Sequence, residues 1–95
     1  MKIFKWNEEK NNTLKSQRNI SFEKIVWAIE QGSIIDIQKH INEDKYRNQF
    51  IYYILINEYI WVIPVVEKDE EIFIKTAFPS RKATKDYLRR LKNEL

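Results

Sequence analysis

The sequence predicts an α+β domain in which an antiparallel sheet is preceded by two helices and followed by a basic one. Three observations carry that expectation. Residues 50–56 and 59–66 are near-continuous runs of β-branched and aromatic side chains around Asn57 and Glu58, the pattern of a hairpin. Ser21 precedes Phe22, Ile25, Val26 and Ile29, which fall on one side of a helix. Ile72, Ile74 and Phe78 recur at even spacing, break at Pro79, and give way after Ser80 to Ala83, Tyr87, Leu88 and Leu91 at helical spacing. The resulting order is βααββββα, with two N-terminal helices and a basic C-terminal helix in a single domain spanning 1–95.

Each element has a local reason. Residues 2–6 form a short strand with Ile3 on one side and Phe4 and Trp6 on the other. Asn7 is placed to cap a helix whose first turn holds Glu8 and Glu9, the charge sign that end prefers, and Leu14 is almost its only apolar contact. Ile20 and Ile25 stand at the staple positions around the Ser21 cap, and Gly32, the only glycine, stops the second helix where a left-handed residue is needed. Residues 33–40 read as a strand, with Ile35 and Ile37 on one side and Asp36, Gln38 and His40 on the other; the charged stretch 42–48 reads as a loop. Pro64 lacks an N–H for a ladder bond, so it marks an edge, a bulge or the end of regular pairing. The acidic residues 67–71 form a turn into the last strand. The hairpin is apolar on both faces: either the helices cover it fully, or an apolar face is left for a protein partner.

Composition narrows the chemistry. Without cysteine there is no disulfide framework, thiolate nucleophile or zinc–cysteine cluster, and metal chemistry would rest on one histidine and carboxylates. The acidic turn at 67–71 is read as a solubility feature, so no metal and no cofactor are expected. No apolar run reaches the length of a membrane span and the first ten residues lack a signal-peptide core, so a soluble, cytoplasmic protein without a membrane partner is expected.

The net charge of +3 is unevenly placed: six basic residues face two acidic ones from Ser80 onward, leaving eleven basic and twelve acidic residues elsewhere. Arg81 and Lys82 fall in the first turn of the last helix, where the backbone dipole and unpaired N–H groups disfavour cations. Cations at such a place suit a phosphate. The alternative is a solvated basic tail.

A resemblance joins these features. Trp6-Asn7, Lys10 and Ile20-Ser21-Phe22-Glu23, together with Ser80-Arg81-Lys82-Ala83-Thr84-Lys85 after the last strand, resemble the BrnT-type toxins of bacterial type II toxin–antitoxin modules. The resemblance runs over most of the chain. It implies a RelE-like fold, metal-independent cleavage of RNA that blocks translation, and neutralisation by a ribbon-helix-helix antitoxin, with DNA engaged only through that antitoxin. Where the family usually shows Lys-His-Gly before its SFE segment, this chain has Gln17-Arg18-Asn19. Arg18 keeps the cation and a phosphate contact but does not exchange protons near neutral pH.

Metal-free RNA cleavage uses the ribose 2′-hydroxyl as nucleophile, and it needs proton removal, charge stabilisation and a proton for the leaving oxygen. His40 is the one side chain that titrates near neutrality unshifted, and it is the candidate acid or base beside its more ordinary reading as a structural histidine. Arg81 is the candidate for charge stabilisation, with Lys75, Arg47 and Arg18 as contributors where the fold brings them near. Arg18, Lys82, Lys85 and Arg89 are the candidates for contact with RNA. The competing expectation is a non-catalytic module that holds RNA or an acidic protein with the basic C-terminal helix.

Overall fold

The computed structural model describes residues 2–39, 42 and 44–94. Three helices and six strands follow in the order β1 (Ile3–Lys5), α1 (Glu8–Arg18), α2 (Phe22–Glu30), β2 (Ile34–Lys39), β3 (Gln49–Ile56), β4 (Tyr59–Lys68), β5 (Glu71–Ile74), β6 (Phe78–Pro79) and α3 (Arg81–Glu94). The class is α+β. The sheet runs β1-β5-β4-β3-β2, with β6 on the same edge of β4 as β5. It is mixed rather than antiparallel, because β1 lies parallel to β5, Phe4 opposite Ile72. The excursion through both helices and the meander returns the chain to the far edge, where a parallel pairing needs such a long connection.

Local chemistry sets the elements. Asn7 caps α1 by accepting the Lys10 N–H at 3.0 Å, and Ser21 caps α2 by accepting that of Lys24 at 3.1 Å. Gly32 follows α2 at φ 83°, a conformation that only a residue without Cβ takes cheaply. Asn57 and Glu58 both have positive φ, 51° and 65°, which is the type I′ geometry that matches the twist of a two-residue hairpin.

The core lies between the helix pair and one face of the sheet. Phe22, Ile25 and Ala28 of α2 and Leu14 of α1 pack with Tyr52, Ile54 and Ile56 of β3, Trp61, Ile63 and Val65 of β4, and Ile72 and Ile74 of β5. Partly buried Phe4 and Trp6 close one side, and the Trp6 ring lies 5.9 Å from that of Phe22. α3 sits on the opposite face, and only its first half is packed: Thr84 is buried, whereas Leu88 and Leu91, expected on the buried side, are 55% and 42% exposed.

Two bulges change which side chains face the core. The strand expected over 72–78 is interrupted at 75–77, because the register against β4 shifts by one residue between Ile74 opposite Val65 and Phe78 opposite Val62. A one-residue slip exchanges the faces. Ala77 is buried in place of Phe78, which is 41% exposed on the outer face. Pro64 explains the site of the break. The Lys75 N–H donates to the Pro64 carbonyl at 2.9 Å, but proline has no N–H to return, and the Lys75 carbonyl accepts Lys10 Nζ at 3.0 Å instead. In β2 a second irregularity between Ile34 and Asp36 places Ile35 and Ile37 on opposite faces, not together as their spacing suggests, and leaves Ile37 49% exposed. Among the described residues no helix is long and apolar enough to cross a membrane.

Candidate nucleic-acid interface

The corner between α1 and α2 is held by a buried amide. Asn11, fully inaccessible, accepts the Phe22 N–H at 2.8 Å through Oδ1 and donates from Nδ2 to Glu23 Oε1 at 2.6 Å. That donation, followed by a backbone hydrogen bond, holds the Glu23 carboxyl below its ordinary value. α1 ends at Asn19, whose φ of 55° turns the chain sharply, and its N–H caps the Lys15 carbonyl at 3.2 Å. The turn brings the last residues of α1 beside the first of α2.

Arg18 stands where two hollows meet. One, of about 570 Å³, is bounded by Lys15, Arg18, Lys24, Asn57 and Trp61, and no carboxylate lines it. The other, of about 530 Å³, lies between α1 and the free edge at 76–78; its charged residues are Lys10, Arg18 and Glu9. Across both, four cations face one carboxylate. Lys24 lies over the Trp27 ring at 4.3 Å, and Lys15 reaches Glu23 only at 3.9 Å. Arg18 has no ion pair or hydrogen-bond partner for its guanidinium among the described residues. A planar fork of donors in a basic recess suits a phosphate oxygen pair.

A third hollow, of about 440 Å³, runs between α3 and the outer sheet face, lined among others by Tyr53, Val62, Phe78, Lys82, Tyr87 and Arg90. The segment Ser80 to Thr84 that opens α3 is in part an anchor. Ser80 Oγ accepts the Ala83 N–H at 3.0 Å, and Thr84 Oγ1 accepts the Ile60 N–H at 2.9 Å while donating to the Ser80 carbonyl at 2.7 Å. Those bonds pin the helix start to β4.

The residues expected to carry catalysis are not gathered in one recess. Arg81 is exposed at the start of α3 and lines none of these hollows. Lys75 instead donates to Gln49 Oε1 at 3.3 Å, and Arg47 shares a smaller hollow with Gln49, Lys39 and Asp44. Gln49 thus neighbours both, but it lies opposite Val66 and the end of β6 opposite Trp61, roughly 17 Å of strand apart. His40 lies outside the described residues. Lys85 and Arg89 are exposed on α3 away from the groove, whereas Lys82 lines it. The expected RNA contacts thus divide between Arg18 on one side of the β6 edge and Lys82 on the other.

Sequence reasoning missed Lys15 and Lys24. The available signal was the three-residue gap between helices, which folds the last turn of α1 against the first of α2. The turn expected over 67–71 narrows to Asp69 and Glu70, since Glu67 lies in β4 and Glu71 in β5; those two pair with Lys2 at 2.8 Å and with Lys5 at 2.7 Å. Compared with family models, with curated proteins and with solved structures, the chain finds no match in any of the three.

Proposed function

We propose that the chain is a cytoplasmic ribonuclease toxin with a RelE-like, BrnT-type fold, neutralised by a ribbon-helix-helix antitoxin. The observation that carries this reading is Arg18 between two hollows in which four cations face one carboxylate. The βαα start, the antiparallel meander and the terminal helix support it, as do the residues on which the resemblance rests: Lys10 ties α1 to the bulge, Ser21 and Glu23 hold the α1–α2 corner, and Ser80 and Thr84 seat α3. Cations in this recess bind the scissile phosphate and stabilise the charge that grows on its oxygens as the neighbouring 2′-oxygen attacks phosphorus. The products are a 2′,3′-cyclic phosphate and a free 5′-hydroxyl. The reaction takes no metal.

Induced expression is expected to arrest growth, and the purified protein to cut RNA in the presence of a chelator. Arg18→Ala lowers the cleavage rate about a hundredfold, the scale of losing one preorganised charge-stabilising group, with unchanged melting. Undiminished cleavage by that variant removes Arg18 from the site. A second reading is favoured by the separation of Arg81 from Lys75 and Arg47: a non-catalytic module that holds RNA by charge. It predicts salt-sensitive binding without cleavage products.

A further inference from the structure

The groove beneath α3 carries charged groups that the phosphate recess does not use. Lys82, Asp86 and Arg90 stand at i, i+4 and i+8 on the flank that lines it. That spacing normally closes ion pairs, yet the Asp86 carboxylate enters no ion pair or hydrogen bond among the described residues. Three polar groups of the floor are already engaged. Asp36 accepts the Ile37 N–H at 2.9 Å and Gln38 Nε2 at 3.2 Å, and Gln38 Oε1 accepts the Tyr53 hydroxyl at 3.2 Å. Asp36 keeps its charge on the floor, and along α3 a cation, a carboxylate and a cation stand in a row without partners among the described residues, with the rings of Tyr53, Tyr87 and Phe78 around them.

We propose that this groove is a base-reading subsite for one unpaired guanine of a single-stranded RNA, a specificity site that rests on the reading of the chain as an RNA-directed protein. Guanine is the base whose Watson–Crick edge presents two adjacent N–H donors, N1–H and the N2 amine, and a free carboxylate matches that pair with its two oxygens. Adenine and cytosine offer one amine beside an acceptor that the carboxylate repels, and uracil offers one imide N–H between two carbonyls. The aromatic rings give the base a face to stack on, and Lys82 and Arg90, one turn to either side of Asp86, take the flanking phosphates. The volume of about 440 Å³ is within the roughly 300–1,000 Å³ that small-molecule sites occupy. Asp86 is exposed at its rim, so replacing it leaves the core untouched.

The test uses the full chain and four 2′-O-methyl tetranucleotides, UUGU, UUAU, UUCU and UUUU, whose blocked 2′-oxygens keep them intact. UUGU is expected to bind about tenfold more tightly than the others, in line with a bidentate base contact, and to shift the amide resonances of Gln38, Tyr53 and Tyr87. Asp86→Asn abolishes the preference, while Lys82→Ala and Arg90→Ala weaken all four ligands alike. Equal affinity for the four, a preference that survives Asp86→Asn, or shifts confined to the Arg18 corner overturns the assignment. The two proposals fail separately: a protein that cuts RNA without preferring UUGU refutes the guanine site alone, and one that prefers UUGU but leaves ordinary RNA uncut refutes the nuclease alone.

Discussion

Asn11 shows how one side chain decides the geometry of the basic recess at the α1–α2 corner. Its amide satisfies a buried backbone N–H at the start of α2 and at the same time restrains Glu23. Asn11→Ala leaves the Phe22 N–H without an acceptor and is expected to cost about 2 kcal/mol in chemical denaturation at neutral pH. Because the amide lowers the Glu23 pKa in the folded state, its contribution there is complete above the ordinary carboxyl value of 4.5 and is lost as pH falls through the folded value. The stability gap between wild type and Asn11→Ala therefore narrows in acid, which denaturation curves at pH 7 and pH 3 would register. Glu58 makes the converse case. It holds a left-handed φ of 65° in a turn that favours glycine, so Glu58→Gly is expected to raise stability by about 1 kcal/mol.

At the scale of elements, the handover from β6 to α3 is the joint that positions the basic helix. The Ser80 N–H still donates to the Ile60 carbonyl at 2.9 Å, as a strand residue would, but the Ile60 N–H goes to the Thr84 hydroxyl. The sheet ladder thus ends on a helix side chain. Thr84→Val keeps the shape and removes the acceptor, leaving a buried N–H unpaired at a cost of about 2 kcal/mol. Hydrogen exchange is expected to accelerate in α3 and at Ile60 before it does in β3, since the outer half of α3 has little packing of its own. Much of this joint was legible in the sequence: the even spacing breaks at Pro79 and helical spacing begins after Ser80. Thr84 was not, because a threonine one helical turn inside a basic segment has no local signal that a strand N–H waits opposite it.

Across the whole molecule, what the chain states outright is whatever depends on near neighbours. The caps Asn7, Ser21 and Ser80, the helix stop at Gly32, the Asn57-Glu58 hairpin and the two-faced apolarity of β3 and β4 all follow from residues within a few positions of one another. What depends on register or on distant pairing does not. The bulge that exchanges Phe78 for Ala77, the parallel placement of β1 beside β5, and the corner that assembles Lys15, Arg18 and Lys24 arise only when segments many residues apart are laid together. Charge counting pointed to the last helix because that is where cations are dense along the chain. Folding placed a carboxylate-free recess at the α1–α2 corner instead, since it is proximity in space, with side chains drawn from separate elements, that sets the potential an anion meets.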